Sequence, residues 1–122
     1  MPEHFSIAAR LNSFRHAFAG LPVLLREQHN ARIHLLATVG VIVLGALLDI
    51  VRSDWVLLLL TMALVWLAEA LNSALEYLAD AAVPEQHELV GKAKDVAAGG
   101  VLITAAVAVV VGLAIFLPYL PL

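Results

Sequence analysis

The chain has 122 residues, 62% of them hydrophobic and only 14% charged, with a mean hydropathy of +0.94. That balance lies outside the ordinary soluble range and reads as a single-domain integral membrane protein, all α-helical. Seven Lys and Arg against ten Asp and Glu give a formal net charge of −3, which offers no basic surface to a nucleic acid, and the lack of cysteine excludes a disulfide framework and thiolate chemistry.

The first thirty residues carry polar groups throughout and lack the continuous apolar core of a signal peptide, so the N-terminus is expected to be retained. From Ile7 to Leu25 the apolar positions Ile7, Leu11, Phe14, Phe18, Leu21 and Leu25 recur every three or four residues, with Arg10, Arg15 and Arg26 on other faces. The pattern predicts an amphipathic surface helix within residues 1–31, lying in the membrane interface. An ordinary helix packed on the bundle gives the same periodicity. Gly20-Leu21-Pro22 is expected to bend or divide it.

A first membrane helix is predicted over about residues 33–51, followed by a polar turn at Asp49, Arg52, Ser53 and Asp54. A second, over about 55–79, opens at Trp55, whose indole suits an interface, and Pro84 prevents its simple continuation. The third, about 96–117, contains no charge and ends before Pro118. Arg10, Arg15, Arg26 and Arg32 precede the first span and Lys92 and Lys94 lie between the second and third, whereas the first loop has only Arg52. The positive-inside rule therefore expects a cytoplasmic N-terminus, in an inner membrane. Gly100, Thr104, Ala108 and Gly112 form a small-residue ridge on the third span, suited to close packing either within the protomer or between copies.

The second span carries the chemistry. In Glu69-Ala-Leu-Asn-Ser-Ala-Leu-Glu76, Glu69, Asn72 and Glu76 fall within an arc of about 60° on a helix, with Ser73 and Asp80 on the same side. Ionisable groups at this depth are rare without a task, and convergent oxygens suit a metal ion or a proton-transfer site. Glu76 lies ~10 Å from Glu69 along the axis, toward the cytosol. Three thin helices cannot cover these carboxylates on all sides, so self-association is expected.

A second cluster, Glu85-Gln86-His87-Glu88-Leu89-Val90-Gly91-Lys92-Ala93-Lys94-Asp95, stands at the entrance to the third span. Lysines beside carboxylates can hold phosphate and Mg²⁺ together, or they can serve as topology anchors. Gly91-Lys92 is followed by alanine and lacks the upstream glycine of a Walker A loop.

Together these residues resemble the bacterial membrane diacylglycerol kinase family, which includes undecaprenol kinases. The likeness runs through Phe14-Arg-His-Ala-Phe-Ala-Gly20, Asn30-Ala-Arg-Ile-His34, the Glu69 to Glu76 segment, and His87 to Leu102. The resemblance implies a homotrimer of three-span protomers with sites between neighbouring subunits, transferring the ATP γ-phosphoryl group to a membrane lipid alcohol. It assigns Glu69 as general base, with Asn72 beside it, and Glu76 to Mg²⁺ bridging the ATP phosphates. It assigns Glu85, Gln86, His87, Lys94 and Asp95 to nucleotide contact. Two positions depart from the family pattern. A further metal-binding glutamate falls by spacing on Gln28, with Glu27 adjacent, so either the helix is shifted by one residue and Glu27 serves, or metal binding relies on Glu76. A tyrosine common in the surface helix, at the adenine contact, is His16 here.

The acceptor is left open between diacylglycerol, giving phosphatidic acid in phospholipid metabolism, and undecaprenol, giving the phosphorylated carrier of wall and surface-glycan assembly. The Lys94-Asp-Val-Ala-Ala-Gly run is closer to the undecaprenol type. The rival reading is a non-enzymatic bundle conducting protons or cations past Glu69, Glu76 and Asp80, for which the Lys94-Asp95 cluster has no use.

Overall fold

The computed structural model describes residues 4–121 as four α-helices and a closing 3₁₀ turn. The first, α1, spans Ile7–Glu27 and is capped by Ser6, whose Oγ accepts from the Ala9 N–H at 3.2 Å. It runs unbroken through Gly20, Leu21 and Pro22, so the expected division does not occur. Its apolar stripe of Ile7, Leu11, Phe14, Phe18 and Leu21 is exposed, and Leu24 is its one buried residue. The stripe is therefore not packed on the other helices of this chain.

The predicted surface segment to residue 31 is cut short at Gln28, which ends α1 and begins α2, His29–Leu48. Arg32, one turn into α2, reaches back to donate from Nε to the Leu25 carbonyl at 2.9 Å and from its guanidinium to the Arg26 carbonyl. These are carbonyls that the end of α1 leaves without helical partners, so Arg32 fixes the joint between the two helices. Gln28 adds a bond from its amide to the Tyr77 hydroxyl at 3.2 Å.

Helix α2 closes on Asp49 in the left-handed region (φ 51°, ψ 53°). The Ile50 N–H reaches the Gly45 carbonyl and the Asp49 N–H that of Ala46, a Schellman closure. The turn is shorter than the sequence suggests. Arg52, Ser53 and Asp54 already form the first turn of α3, Arg52–Ala82, so the helix begins three residues before Trp55. Trp55 lies against α2 where a Cβ on Gly45 would stand 2.7 Å from its Cη2; only glycine admits the ring there.

Helix α4, Glu88–Phe116, likewise begins before the predicted span, because His87 caps it with Nδ1 accepting the Leu89 N–H at 3.2 Å. The 3₁₀ turn Leu117–Tyr119 then carries Tyr119 across to α3, where its hydroxyl donates to Asp54 Oδ2 (2.8 Å) and accepts from the Val51 N–H (3.1 Å). Ile50, Leu58, Ile115 and Phe116 form the buried core at this end.

Three helices, α2, α3 and α4, are long and apolar enough to cross a membrane. α3 is the shared element, packed along α4 and more lightly on α2. Its 31 residues run ~46 Å, beyond the ~30 Å of a hydrocarbon core. Counting ~20 residues from Trp55, Glu69 falls at hydrocarbon depth and Glu76 at its boundary.

Candidate active site

Glu69 is 1% exposed and Ser73 2%. Ser73, one turn on, donates from Oγ to Glu69 Oε1 at 3.4 Å. The other oxygen faces α2, where His34 Nε2 stands 3.5 Å away, in ion-pair range but not aligned as a hydrogen bond. A small network holds His34 in place. Trp66 meets its ring edge-on with centroids 6.2 Å apart. The Trp66 Nε1–H donates to Thr38 Oγ1 (3.0 Å), and Thr38 donates to the His34 carbonyl (2.7 Å). His34 appears in the sequence motif but carries no predicted site role; a titratable residue in an apolar helix was the available signal.

His34 Nε2, Glu69 Oε2 and Asn72 Oδ1 are buried without a hydrogen-bond partner among the described residues. Each such atom costs ~1–3 kcal/mol, and three grouped on facing helices are left open to a partner from outside this chain. A cavity of about 280 Å³ lies beside them, bounded by Asn30 and His34 of α2, Asn72 of α3, and Ala98, Val101 and Leu102 of α4. Ile33, His34 and Ala105 also line a second, apolar cleft of about 540 Å³ between α2 and α4. The cavity with its three polar residues, Asn30, His34 and Asn72, thus adjoins a groove fit for a hydrocarbon chain.

Two turns along α3, Lys94 of α4 places its Nζ 2.6 Å from Asp80 Oδ1 and 3.4 Å from Glu76 Oε2. The early start of α4 makes this possible, since Lys94 sits on helix rather than in a loop. Spacing puts Asp80 on the same face of α3 as Glu69 and Glu76, and the tertiary fold gives it the shortest contact to Lys94. The remaining predicted residues are not gathered here. Glu85, Gln86 and Asp95 are exposed, His87 is used as a cap, and His16 lies out on α1 within 3.4 Å of Asn12 Nδ2. Glu27 is exposed at the end of α1, beside Gln28, whose amide is committed to Tyr77.

A magnesium ion with substrate phosphates needs only one or two protein carboxylates. Among the described residues no group of three or more His, Asp or Glu forms a closed metal cage. The Glu76 carboxylate is 36% exposed and paired with Lys94, and Glu27 is exposed at the end of α1.

A family model described as prokaryotic diacylglycerol kinase matches residues 15–116. The chain is 44% identical over 109 residues to a diacylglycerol kinase of Synechocystis sp., covering 88% of this chain and 62% of that protein, so it spans less than two thirds of that relative's length. It is 34% identical over 108 residues to an undecaprenol kinase of Bacillus subtilis, covering 88% of each. A diacylglycerol kinase of Escherichia coli K12 is 42% identical over 69 residues, 57% of each chain.

Proposed function

The chain belongs to the prokaryotic diacylglycerol kinase family, and on that premise we propose that it transfers the γ-phosphoryl group of ATP to the hydroxyl of a membrane lipid alcohol. The observation that carries the reading is the buried Glu69 carboxylate beside His34 and one turn from Asn72, both of which line a cavity that adjoins an apolar groove. Such a site presents a hydroxyl to a base while the lipid's chains stay in hydrocarbon.

In this reading Glu69 takes the proton of the acceptor hydroxyl as its oxygen bonds to the γ-phosphorus, the bond from that phosphorus to the β–γ bridging oxygen breaks, and ADP leaves. A carboxylate buried in apolar surroundings, with one oxygen free, is suited to that transfer. Asn72, whose Oδ1 is unpaired, orients the hydroxyl. Glu76, with Glu27, would hold Mg²⁺, which when bound draws charge from the phosphate oxygens. Lys94 contributes a cation for the phosphates, positioned by Asp80. Glu85, Gln86, His87 and Asp95 contact nucleotide, and His16 stands at the adenine side.

The proposed assembly is a homotrimer in the inner membrane with a cytoplasmic N-terminus and α1 in the interface. Its support is the exposed stripe of α1 and the ridge on α4, where a Cβ on Gly100 or Gly112 would meet nothing within the chain. Native mass spectrometry should find three chains; a fully active monomer would refute the shared site.

The acceptor is diacylglycerol or undecaprenol, the two named among the relatives. Purified protein with labelled ATP and Mg²⁺, offered both lipids side by side, should phosphorylate one preferentially. A folded preparation inactive on both would overturn the proposal.

A further inference from the structure

A base that has taken a proton must release it before the next turnover, and Glu69 is 1% exposed. Its neighbours differ in what they can do with that proton. Ser73 at Oε1 is a hydroxyl, Asn72 a neutral amide and Trp66 a donor only, and none of them offers a basic lone pair. The imidazole of His34 has one on a ring nitrogen. Its Nε2 lies 3.5 Å from Glu69 Oε2, and both atoms lack a hydrogen-bond partner among the described residues. A side-chain adjustment of roughly 0.5 Å closes that gap to hydrogen-bond length.

His34 is also less enclosed than the carboxylate, with 15% of its side chain exposed against 1%. It borders the cavity together with Asn30 and Asn72. The α4 wall there, Ala98, Val101 and Leu102, is apolar, and Glu69 is the titratable group facing the imidazole from α3. The imidazole therefore stands between the buried carboxylate and that cavity.

We infer that His34 relays the proton that Glu69 removes from the acceptor hydroxyl, carrying it from the buried carboxylate into the cavity bounded by Asn30 and Asn72. The inference rests on the lipid kinase reading above. The proton leaves the Glu69 carboxyl for the lone pair of His34 Nε2, restoring the carboxylate, and the imidazolium then gives a proton to cavity water. No oxidant or further reactant is involved.

The test uses the purified full-length chain in bilayers, comparing the parent with His34→Gln and His34→Ala. The relay expects kcat to fall about tenfold or more, with the KM values for Mg-ATP and acceptor and the binding of an ATP analogue unchanged. The solvent deuterium isotope effect on kcat should rise in both variants, and free imidazole should restore turnover to His34→Ala but not to Glu69→Gln. A parental kcat and isotope effect in His34→Gln overturns the relay. So does a loss expressed as a raised acceptor KM without imidazole rescue, which assigns His34 to acceptor binding or packing. Should the variants not fold, ¹⁵N spectra of the histidine rings decide. The His34 Nε2 resonance should differ between parent and Glu69→Gln, and an unchanged resonance overturns the relay. A parent inactive on every lipid alcohol overturns the kinase reading and the relay together, whereas an active parent with unaffected variants overturns the relay alone.

Discussion

The two ends of α3 are built on opposite principles. At the Arg52 end polar groups are paired: Tyr119 satisfies both the Val51 N–H and Asp54, the Schellman closure at Asp49 consumes the last carbonyls of α2, and Ile50, Leu58, Ile115 and Phe116 close the core. Toward the Ala82 end the same helix carries Glu69 and Asn72, each with a buried oxygen unpaired, Glu69 facing the unpaired Nε2 of His34 on α2, then two carboxylates, Glu76 and Asp80, that share Lys94 of α4. One end spends its polar groups on holding the helices together, and the other keeps them available. Since unpaired buried groups destabilise a fold, the closed end supplies the stability on which the open end draws.

The comparison breaks most sharply at Glu69 and Glu76, which share a helix face but are expected to fail differently. Glu69→Gln keeps the shape and removes the base, so turnover should collapse by ~10²-fold or more while nucleotide binding survives. Glu76→Gln should instead weaken binding of Mg-ATP, because the ion loses an anionic ligand. Calorimetry with an ATP analogue, run beside turnover for each variant, checks both. Near-parental turnover in Glu69→Gln would remove the reason for treating this end as a catalytic site.

Changes at the closed end should act on stability and leave the chemistry alone. Gly45→Ala forces a methyl to within 2.7 Å of the Trp55 ring, and such overpacking costs ~1–3 kcal/mol. Tyr119→Phe removes the bonds to Val51 and Asp54 at a cost of ~1 kcal/mol. Both should lower the unfolding midpoint in detergent, Gly45→Ala the more, with KM for ATP unchanged. A variant that altered nucleotide binding without altering the midpoint would show that the two ends are not separable.

The smallest effect is expected at the joint between α1 and α2. Gln28 already donates to Tyr77, leaving Glu27 as the residue free to approach metal and phosphate. Glu27→Gln should raise the Mg²⁺ concentration needed for half-maximal rate several-fold, about what loss of one of two carboxylates implies. If Gln28→Ala raises that requirement and Glu27→Gln does not, the metal contact belongs to the other residue.

Much of this was legible in the amino-acid order. Apolar length announced three spans because a hydrocarbon core sets the number of residues needed to cross it, and the 3.6-residue period put Glu69, Asn72, Glu76 and Asp80 on one face. Composition marks apolar stretches from about 55 and 96, and the helices that contain them begin earlier, at Arg52 and Glu88, because a helix starts where its backbone is capped, not where hydrocarbon does. Pro22 suggested a break that α1 does not make, since a long helix tolerates the loss of one backbone bond.

By itself, then, the sequence determined the solvent, the number of candidate spans and the polar face of α3, all properties of local period and composition. Only the tertiary structure decided which residues meet across helices: His34 with Glu69, Lys94 with Asp80 and Glu76, and Tyr119 with Asp54. These pairs lie up to 65 positions apart, and no periodicity within one helix records the rotation and depth of the next. The side chains that meet depend on how the helices pack, and packing is a property of the assembled surfaces rather than of either strand of residues alone.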